Sequence, residues 1–364
     1  MTEAATMGTG QAGGGLKPLR GVRVVEFEGI GPGPLCGAML VGLGADVVLV
    51  ARPVAPDARR VLRISEVPDE IAIEHGKRVV KLDLKTPAGI EAALDLIADA
   101  DALIEGLRPG AMERLGLGPE VCHGRNPALV YGRMTGWGQH GPLAASAGHD
   151  LNYIALTGLL AFAGRDGAMP VTPPTVLGDA VGALGLAFGI ASGVLHARQS
   201  GQGCVIDAAI TDIAAMLGSL LQVAQAAGTV GGAVPSPFHD SPFYDVYRCA
   251  DGRAITLGAL EPQFYRLLLD KLGLHDVDAS AQYDRAQWPA LKSRIAALIA
   301  TRTSAEWCEL LEGTDVCFAP VLTLDEAARH PHNVARGVFR SAPHADGEAH
   351  RANAAPRFVP AGWR

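Results

Sequence analysis

The segment Gly21-Val-Arg-Val-Val-Glu26, followed closely by Gly29-Ile-Gly-Pro-Gly-Pro34, decides the fold of this chain. The first run is rich in valine and predicts a buried strand, whereas the glycines and prolines after it predict a tight turn. A helix is predicted next over Leu35 to Leu43, and a second strand over Asp46 to Val50. A strand, a helix and a strand in this order are typical of a βαβ unit, whose two strands lie parallel.

The same alternation continues toward the middle of the chain. An extended run precedes Thr86-Pro87, which are the N-cap and first-turn proline expected at the start of a helix over Ala88 to Ala98. Further strands are predicted over Ala102 to Glu105 and Leu129 to Met134, with a short helix between them. We therefore expect an α/β fold with a parallel sheet that is covered by helices on both faces.

The sequence changes in character after Gly203. A long helix is predicted over Val205 to Ala227, and the Asp251-Gly252 pair predicts the two-residue turn of a β-hairpin. Three predicted helices follow the hairpin, which favours a smaller α+β domain. The predicted divisions are a disordered tail (1–16), a large domain (17–204), a linker helix and loop (205–241), a small domain (242–328) and a C-terminal segment (329–364).

The composition argues against several classes of protein. The chain has 364 residues, 48% of them hydrophobic, which is enough for two domains with sizeable cores. A net charge of −7 and the lack of basic runs argue against a nucleic-acid partner. The six cysteines are scattered, which is typical of reduced thiols in a cytoplasmic protein rather than of a disulfide framework or a metal site. The apolar run Ala180 to Leu195 is short for a membrane span, so we expect a buried helix and no membrane partner.

The usual nucleotide motifs do not fit. The glycines Gly29, Gly31 and Gly33 do not have the G-x-G-x-x-G spacing, and the second strand ends in Val50-Ala51 where a ribose-binding acid is expected. These departures argue against a nicotinamide enzyme.

Three acid or base residues stand out as candidates for chemistry. His149, a residue type often used for acid–base catalysis, lies in Gly148-His149-Asp150-Leu-Asn152-Tyr153, and Asp179 follows in Leu177-Gly-Asp179. Glu261 precedes Pro262 at the predicted start of a helix. Asp150, Asp179 and Glu261 each stand before a predicted helix, so a simple role at the helix N-terminus explains them equally well from local sequence.

Ten short runs together indicate a family. They are Gly29-Ile-Gly-Pro-Gly-Pro34, Leu82-Asp-Leu-Lys85, Arg108-Pro-Gly110, Glu113-Arg-Leu-Gly-Leu-Gly-Pro119, Met134-Thr-Gly-Trp-Gly-Gln139, Ala147-Gly-His-Asp-Leu-Asn-Tyr153, Leu177-Gly-Asp179, Gly203-x-Val-Ile-Asp207, Phe243-Tyr-x-x-Tyr247 and Gly258-Ala-Leu-Glu-Pro-Gln-Phe-Tyr265. In order and spacing, from about Leu19 to Phe358, the chain resembles the α-methylacyl-CoA racemases, a branch of the family III CoA-transferase superfamily.

The resemblance implies a fold and a reaction. The fold is a Rossmann-like large domain, to which the C-terminus returns, joined by long helices to the small domain in an interlocked homodimer. The reaction is a 1,1-proton transfer on a 2-methylacyl-CoA in lipid metabolism, with CoA as part of the substrate and no cofactor. His149 matches the base on one face of the α-carbon, Asp179 matches the acid or base on the other, and Glu261 matches a glutamate of the partner chain that orients the histidine.

The resemblance also implies residues that hold CoA, and here the chain departs from the family. Leu49 and Ala51 replace an arginine and an acid, and Glu74-His75 precedes Gly76 where the family has a basic residue. Loss of a fixed cation beside a phosphate weakens binding unless another group compensates. The predicted CoA-binding residues are Arg52, Lys77 and Arg78 as compensating cations, together with Arg108, Gly148, Asp150, Asn152 and Tyr153 from the matching runs.

Two alternatives remain open at this point. A CoA-transferase of the same superfamily needs an aspartate nucleophile in the loop before a Pro-rich segment, but Val171-Thr-Pro-Pro174 offers none and Asp166 fits poorly. A CoA-binding homologue without catalysis would explain the replacements at Leu49, Ala51 and Glu74.

Overall fold

A computed structural model of the chain describes residues 15–54, 67–70, 72–164, 169–231, 234–344 and 347–361. Most of the tail predicted to be disordered (1–16), and Asp166, lie outside the described residues.

Six parallel strands form the main sheet, which confirms the predicted α/β class. The sheet order is β3-β2-β1-β4-β5-β6, and every neighbouring pair runs parallel. Because the order reverses on either side of β1, the carboxyl ends of β1 and β4 flank the crevice where such sheets usually bind ligands. The strands are β1 (Arg23–Phe27), β2 (Asp46–Ala51), β3 (Arg78–Lys81), β4 (Ala102–Glu105), β5 (Val130–Thr135) and β6 (Cys204–Ala209).

Helices cover both faces of this sheet. Alternate residues of β1 enter separate cores, because successive side chains of a strand point to opposite faces: Val24 packs in one core and Val25 in the other. In chain order, the first α-helices are α1 (Pro32–Gly42), α2 (Pro87–Ala98), α3 (Ala111–Arg114), α4 (Pro119–Arg125), α5 (Asp150–Leu156), α6 (Val181–Ser200), α7 (Ile210–Leu217) and α8 (Ser219–Ala226), the last of which belongs to the smaller unit described below.

Helix α6 packs against the sheet and against α7 through a face of glycines. A Cβ atom at Gly182, Gly185 or Gly193 would come within 2.6–2.8 Å of Ile210, Ile213 or Val130, respectively. The segment Val176–Ser200 is also long and apolar enough to cross a membrane. One face of the helix, which includes Leu186 and Ile190, belongs to the sheet core, whereas the opposite face is exposed, so the prediction of a buried helix holds for one face only.

The long helix predicted over Val205 to Ala227 is wrong in its first part. Residues Cys204–Ala209 form β6, which pairs with β5 along its whole length, and helices follow only from Ile210. β-Branched Val205 and Ile206 favour a strand, and pairing with β5 outweighs any helical tendency of the alanines behind them. The helical part is also interrupted at Gly218, between α7 and α8.

The chain divides into two compact units. The larger unit comprises residues 1–160, 172–216 and 328–364, and the smaller comprises 161–171 and 217–327. In the smaller unit, the predicted hairpin forms with antiparallel pairing, and Gly252 in its turn has a φ of 78°. Its strands and α-helices are α8, β7 (Tyr244–Arg248), β8 (Ala254–Gly258), α9 (Pro262–Lys271), α10 (Trp288–Ile299), α11 (Ser304–Leu311), β9 (Phe318–Pro320) and most of α12 (Leu324–Arg329).

The C-terminal segment is part of the larger unit. It contains α13 (Pro331–Arg336) and an antiparallel pair, β10 (Phe339–His344) and β11 (Gly347–Ala352), which the weak sequence pattern did not predict. The Leu16 N–H donates to the Phe358 carbonyl, and Arg351 donates to the Ala72 carbonyl.

Candidate active site

Asp179 lies in a wide turn that leads into α6. Residues Val176–Ala180 form a π-helical turn, here called the Asp179 turn, and Thr175 before it has a φ of 63°, in the left-handed region. π-Helical turns are uncommon and occur often at functional sites. Asp179 therefore does not cap α6, in contrast to its simplest interpretation from sequence, and its half-buried carboxyl group faces another element.

That element is the glycine loop between β1 and α1. Gly31, the residue before α1, has a φ of 71°, and a Cβ atom placed on it would lie 3.2 Å from Asp179 Oδ2. The carboxyl group thus lies against the backbone of the loop. Sequence reasoning did not select Gly31 as a site residue, although the glycine-rich turn was the available signal.

Asp150 connects the Asp179 turn to the segment that carries His149. Its side chain is buried, with 8% of the residue exposed, and its Oδ1 accepts hydrogen bonds from the main-chain N–H groups of Gly178 and Asp179, both at 2.7 Å. A Cβ atom at Gly178 would overlap with this oxygen. Asp150 therefore does not act as an N-cap, which was its simplest interpretation from sequence.

The N-cap of α5 is instead His149, which is exposed. The Asn152 side-chain oxygen accepts from the His149 N–H at 3.0 Å and closes the first turn. The Tyr153 hydroxyl donates to the Gly148 carbonyl, and the Tyr153 ring packs edge-on against Trp137 with centroids 4.7 Å apart. The backbone that carries the imidazole is thus fixed on both sides.

The charges in this region affect one another. Burial raises the pKa of the Asp179 carboxyl, the charge of Asp150 raises it further, and His149 opposes both. Burial also raises the pKa of the Tyr153 hydroxyl, with a further contribution from the charge of Asp179. Like charges near a half-buried carboxyl favour its protonated form, so Asp179 is suited to hold a proton nearer to neutrality than an ordinary aspartate.

Four of the predicted binding residues and two of the three predicted catalytic residues therefore occur in two adjoining segments. These are Gly148, His149, Asp150, Asn152 and Tyr153 on one side and Asp179 on the other, linked by the Asp150 hydrogen bonds. The roles predicted for Asn152 and Tyr153 stay predictions, since both side chains already form bonds within their own segment.

Glu261 belongs to the smaller unit. It is exposed at the N-cap position of α9, as its simplest interpretation predicts, but its carboxylate forms no capping hydrogen bond. The preceding Leu260 carbonyl accepts from Gln282 Nε2 at 2.9 Å and from the Tyr283 hydroxyl at 2.7 Å, which holds the backbone beside Glu261. Burial, and then the charge of Glu261, raise the pKa values of Tyr283 and Cys317, which indicates that both lie close to its carboxylate.

A cleft opens at the carboxyl ends of β1, β2 and β3, here called the strand-end cleft. It encloses about 180 Å³ beside the crevice at which the sheet order reverses. Its lining is largely apolar, with charged groups at the rim; the residues are Phe27, Glu28, Val50, Ala51, Arg52, Leu82, Asp83, Leu84, Lys85, Leu107 and Leu115.

The predicted CoA-binding cations differ in their surroundings. Arg52 lines the strand-end cleft, where its Nε donates to Glu28 Oε2 at 3.3 Å, and exposed Arg108 directly follows Leu107 of the cleft. Arg78 is exposed at the first position of β3 and does not line the cleft.

Lys77 is placed where it cannot reach a ligand's phosphate. Its side chain is completely buried, and its ammonium group lies 2.7 Å from Glu26 Oε2 and donates to the Pro34 carbonyl at 2.8 Å. Separation of this pair would leave an uncompensated buried charge, at a cost of about 3–5 kcal/mol. Lys77 is therefore not the phosphate contact that the sequence predicted. Its ammonium group instead fixes the first turn of α1.

Comparison with known proteins agrees with this architecture. The α-methylacyl-CoA racemases of Mus musculus and Homo sapiens are 41% and 40% identical to this chain over 324 residues, which are 88% of this chain and 82% of each relative. The crystal structure of a CAIB/BAIF family protein from Brucella suis superposes with a TM-score of 0.76 at 25% identity and covers 94% of this chain and 93% of that one. The family model described as CoA-transferase family III matches residues 19–362, and this chain belongs to that family.

Proposed function

We propose that this chain is an isomerase that interconverts (2R)- and (2S)-2-methylacyl-CoA by 1,1-proton transfer through an enolate. The observation that carries the proposal is the pairing of an exposed imidazole, His149, with a half-buried carboxyl, Asp179, whose pKa is raised by burial and by Asp150. The two relatives named as α-methylacyl-CoA racemases support the same reaction.

The chemistry requires two proton carriers of this kind. A proton on the carbon next to a thioester is weakly acidic, so one base must remove it while an acid returns a proton to the opposite face. In one direction, neutral His149 accepts the proton and protonated Asp179 donates; in the other direction, ionised Asp179 accepts and the imidazolium donates. A carboxyl group with a raised pKa is populated in both forms, which a racemase needs.

The proposed reaction uses no metal, redox group or other cofactor, because the thioester itself acidifies the α-carbon. The strand-end cleft is the proposed site for the CoA portion, with Arg52 in its lining and Arg108 beside Leu107 as the proposed contacts to the phosphates. Ala51 lines the cleft and Leu49 is buried in the sheet with 4% exposed, so the charges that the family has at these two positions are replaced by apolar groups.

We also propose a cytoplasmic homodimer with active sites shared between chains. Outer residues of α6 leave large apolar surfaces exposed, including Phe188 at 73% and Leu195 at 59%, and Leu220 on α8 is 85% exposed. Apolar surfaces of this kind usually mark interaction sites. In the dimer, Glu261 of one chain orients His149 of the other, a role for which its exposed carboxylate on a fixed backbone is suited.

Subunit mixing tests the shared site. Glu261→Gln and His149→Ala proteins should each have little activity alone, whereas a mixture refolded together should regain activity, since one of the two sites in a mixed dimer is intact. A mixture no more active than its components, in a sample that sediments as dimers, would contradict the shared site and leave the reaction itself untouched.

A family III CoA-transferase is the second candidate. It requires an acyl-aspartyl intermediate, and the proline segment Val171-Thr-Pro-Pro174 holds no aspartate. Incubation with acyl-CoA, followed by mass spectrometry of the intact protein, would detect a covalent acyl adduct if this reading were right.

Exchange at the α-carbon tests the main proposal. The protein is incubated in deuterium oxide with single enantiomers of 2-methylacyl-CoAs of several chain lengths, and deuterium incorporation and inversion are measured together. We expect both with at least one chain length. Tight binding of every thioester without exchange would instead favour a CoA-binding homologue that has lost catalysis.

A further inference from the structure

Asp150 makes an unusual contact for a side chain at the start of a helix. It occupies the first position of α5, yet its carboxylate turns away from that helix and accepts two main-chain N–H groups, those of Gly178 and Asp179, at 2.7 Å each. Hydrogen bonds to an ionised acceptor are roughly twice as strong as neutral ones. One oxygen atom of Asp150 therefore holds two successive residues of the Asp179 turn.

The contact leaves little space for movement. Asp150 is 8% exposed, and Gly178 carries no side chain at the one place where a Cβ atom would overlap with the carboxylate oxygen. On its other side, the Asp179 carboxyl lies against Gly31. The Asp179 turn is thus confined between the glycine loop and the Asp150 carboxylate.

The turn needs an external acceptor of this kind. The first N–H groups of a helix have no partner inside the helix, and the entry to the Asp179 turn at Thr175 has a positive φ, which is costly for a residue with a branched side chain. Asp150 satisfies two of these N–H groups from a neighbouring segment. Because Asp150 follows His149 directly, the same residue fixes the spacing between the segments that carry the two proton carriers.

We propose that Asp150 is a positioning residue of the proton-transfer site, whose buried carboxylate ties the His149 segment to the Asp179 turn and holds the Asp179 carboxyl in place. This inference rests on the proposed isomerase function and deepens it. It also changes the role expected for Asp150 from the sequence, which was contact with CoA.

The charge of Asp150 gives the proposal a measurable consequence. The titratable groups around Asp179 are Asp150 and His149, which act on its pKa directly, and the Tyr153 hydroxyl, which its charge affects. Helix α1, which packs on the other side, has no acidic or basic residue between Pro32 and Gly42. Removal of the Asp150 charge should therefore lower the pKa of Asp179, since the remaining neighbour, His149, favours the ionised form.

The test compares Asp150→Asn and Asp150→Ala with wild type. The asparagine keeps an oxygen that accepts the two N–H groups but lacks the charge, so we expect kcat to fall about tenfold with KM nearly unchanged. In the direction that uses Asp179 as the acid, the alkaline limb of kcat should move to lower pH. The alanine variant loses both the acceptor and the charge, and its kcat should fall about a hundredfold or more.

A matched control is Asp101→Asn. Asp101 also accepts a main-chain N–H, that of Arg23 at 2.8 Å, but it stands before β4, at the amino ends of the strands. This variant should keep the wild-type kcat and pH profile. Circular dichroism and thermal melts of all variants separate loss of fold from loss of function.

A second readout is independent of the reaction. The protein is labelled with aspartate enriched in ¹³C at the carboxyl, the Asp179 signal is assigned by its loss in Asp179→Asn, and its titration is followed with and without Asp150→Asn. An unchanged Asp179 titration, together with an unchanged pH profile of kcat, would overturn the proposal. Wild type that exchanges no α-proton, while the Asp179 titration still moves, would instead reject the proposed function and leave the positioning role standing.

Discussion

The Asp179 turn and the strand-end cleft belong to the same unit but are held in different ways. The turn is fixed by main-chain hydrogen bonds to a buried carboxylate and by backbone contact with Gly31. The cleft is lined mainly by leucines together with charged residues, and the side chain of one of these, Arg52, is 54% exposed. The difference indicates that the geometry of proton transfer tolerates little change, whereas affinity for the CoA portion is spread over groups that can substitute for one another.

The largest effect should follow from the loss of His149. His149→Ala removes one of the two proton carriers, so exchange from one enantiomer should fall by about 10²–10⁴-fold while the fold is kept. Deuterium wash-in with each pure enantiomer measures this. Exposed His275 in the smaller unit provides a control, since His275→Ala should leave both rates unchanged. Full exchange from both enantiomers in His149→Ala would refute the role of this residue.

A smaller effect is expected from a methyl group beside Asp179. Gly31→Ala places a Cβ 3.2 Å from Asp179 Oδ2 at a φ of 71°, so it should lower kcat about tenfold and destabilise the fold by about 1–2 kcal/mol. Gly116→Ala is a control, because Gly116 also has a positive φ, of 72°, but no atom lies within 4 Å of the added methyl group. It should also lose stability in denaturant titrations but keep the wild-type kcat. Equal kcat values for Gly31→Ala and Gly116→Ala would show that the reaction tolerates a shift of the Asp179 turn.

A substitution in the strand-end cleft should change KM for acyl-CoA more than kcat. Arg52→Ala should raise KM for acyl-CoA several-fold and leave kcat within about twofold, because an exposed cation contributes up to about 1 kcal/mol. Arg125→Ala, at a surface ion pair with Glu91 and Asp95, serves as the control and should change neither value. A fall in kcat without a change in KM would place Arg52 in the reaction instead.

The smallest effect is a pH-dependent change in stability. Because the pKa of Asp179 is raised in the folded protein, its ionised form opposes folding, and this cost appears as pH rises above the unfolded value of about 3.9. Asp179→Asn should therefore have a slightly higher Tm than wild type at pH 7 but not at pH 3.5.

Asp276→Asn should change the Tm at neutral pH in the opposite direction. Arg294 lowers the pKa of Asp276 in the folded protein, so the ionised form of Asp276 favours folding above pH 4 or so. Its asparagine variant should have a slightly lower Tm at neutral pH, and the loss should vanish in acid. If the Tm difference from wild type changed with pH in the same direction for Asp179→Asn and Asp276→Asn, the opposite pKa shifts of these two carboxyl groups would be contradicted.

Much of the fold followed from local patterns. The helix α2 begins after Thr86, whose side chain accepts from the Gly89 N–H, and the Asp251-Gly252 hairpin forms as predicted, because caps and two-residue turns depend on neighbouring residues. β6 was taken for helix because its identity depends on a partner, β5, that is distant in the sequence. β10 and β11 were missed for a different reason: they are neighbours in the sequence and pair with each other, but their residues show no clear alternation of apolar and polar side chains.

The candidate site was predictable only in part. His149, Asp179 and Glu261 were selected through a family resemblance, since local sequence fitted helix N-termini equally well. Asp150 is recognised as more than a helix cap by its contact with Gly178, which is 28 positions away in the chain. Lys77 is recognised as a structural residue by its contact with Glu26, which is 51 positions away. Such pairs leave no local periodicity, and so the buried Glu26–Lys77 pair could not be anticipated from either residue alone.

The glycine face of α6 has a consequence for how this chain could diversify. The Asp179 turn leads directly into α6, whose glycines have no space for an added methyl group where they contact β5 and α7. The tight packing of α6 therefore also fixes the position of the Asp179 carboxyl. Related proteins that accept other acyl groups would have to change residues outside α6, because a change in the packing of α6 would also move the Asp179 carboxyl.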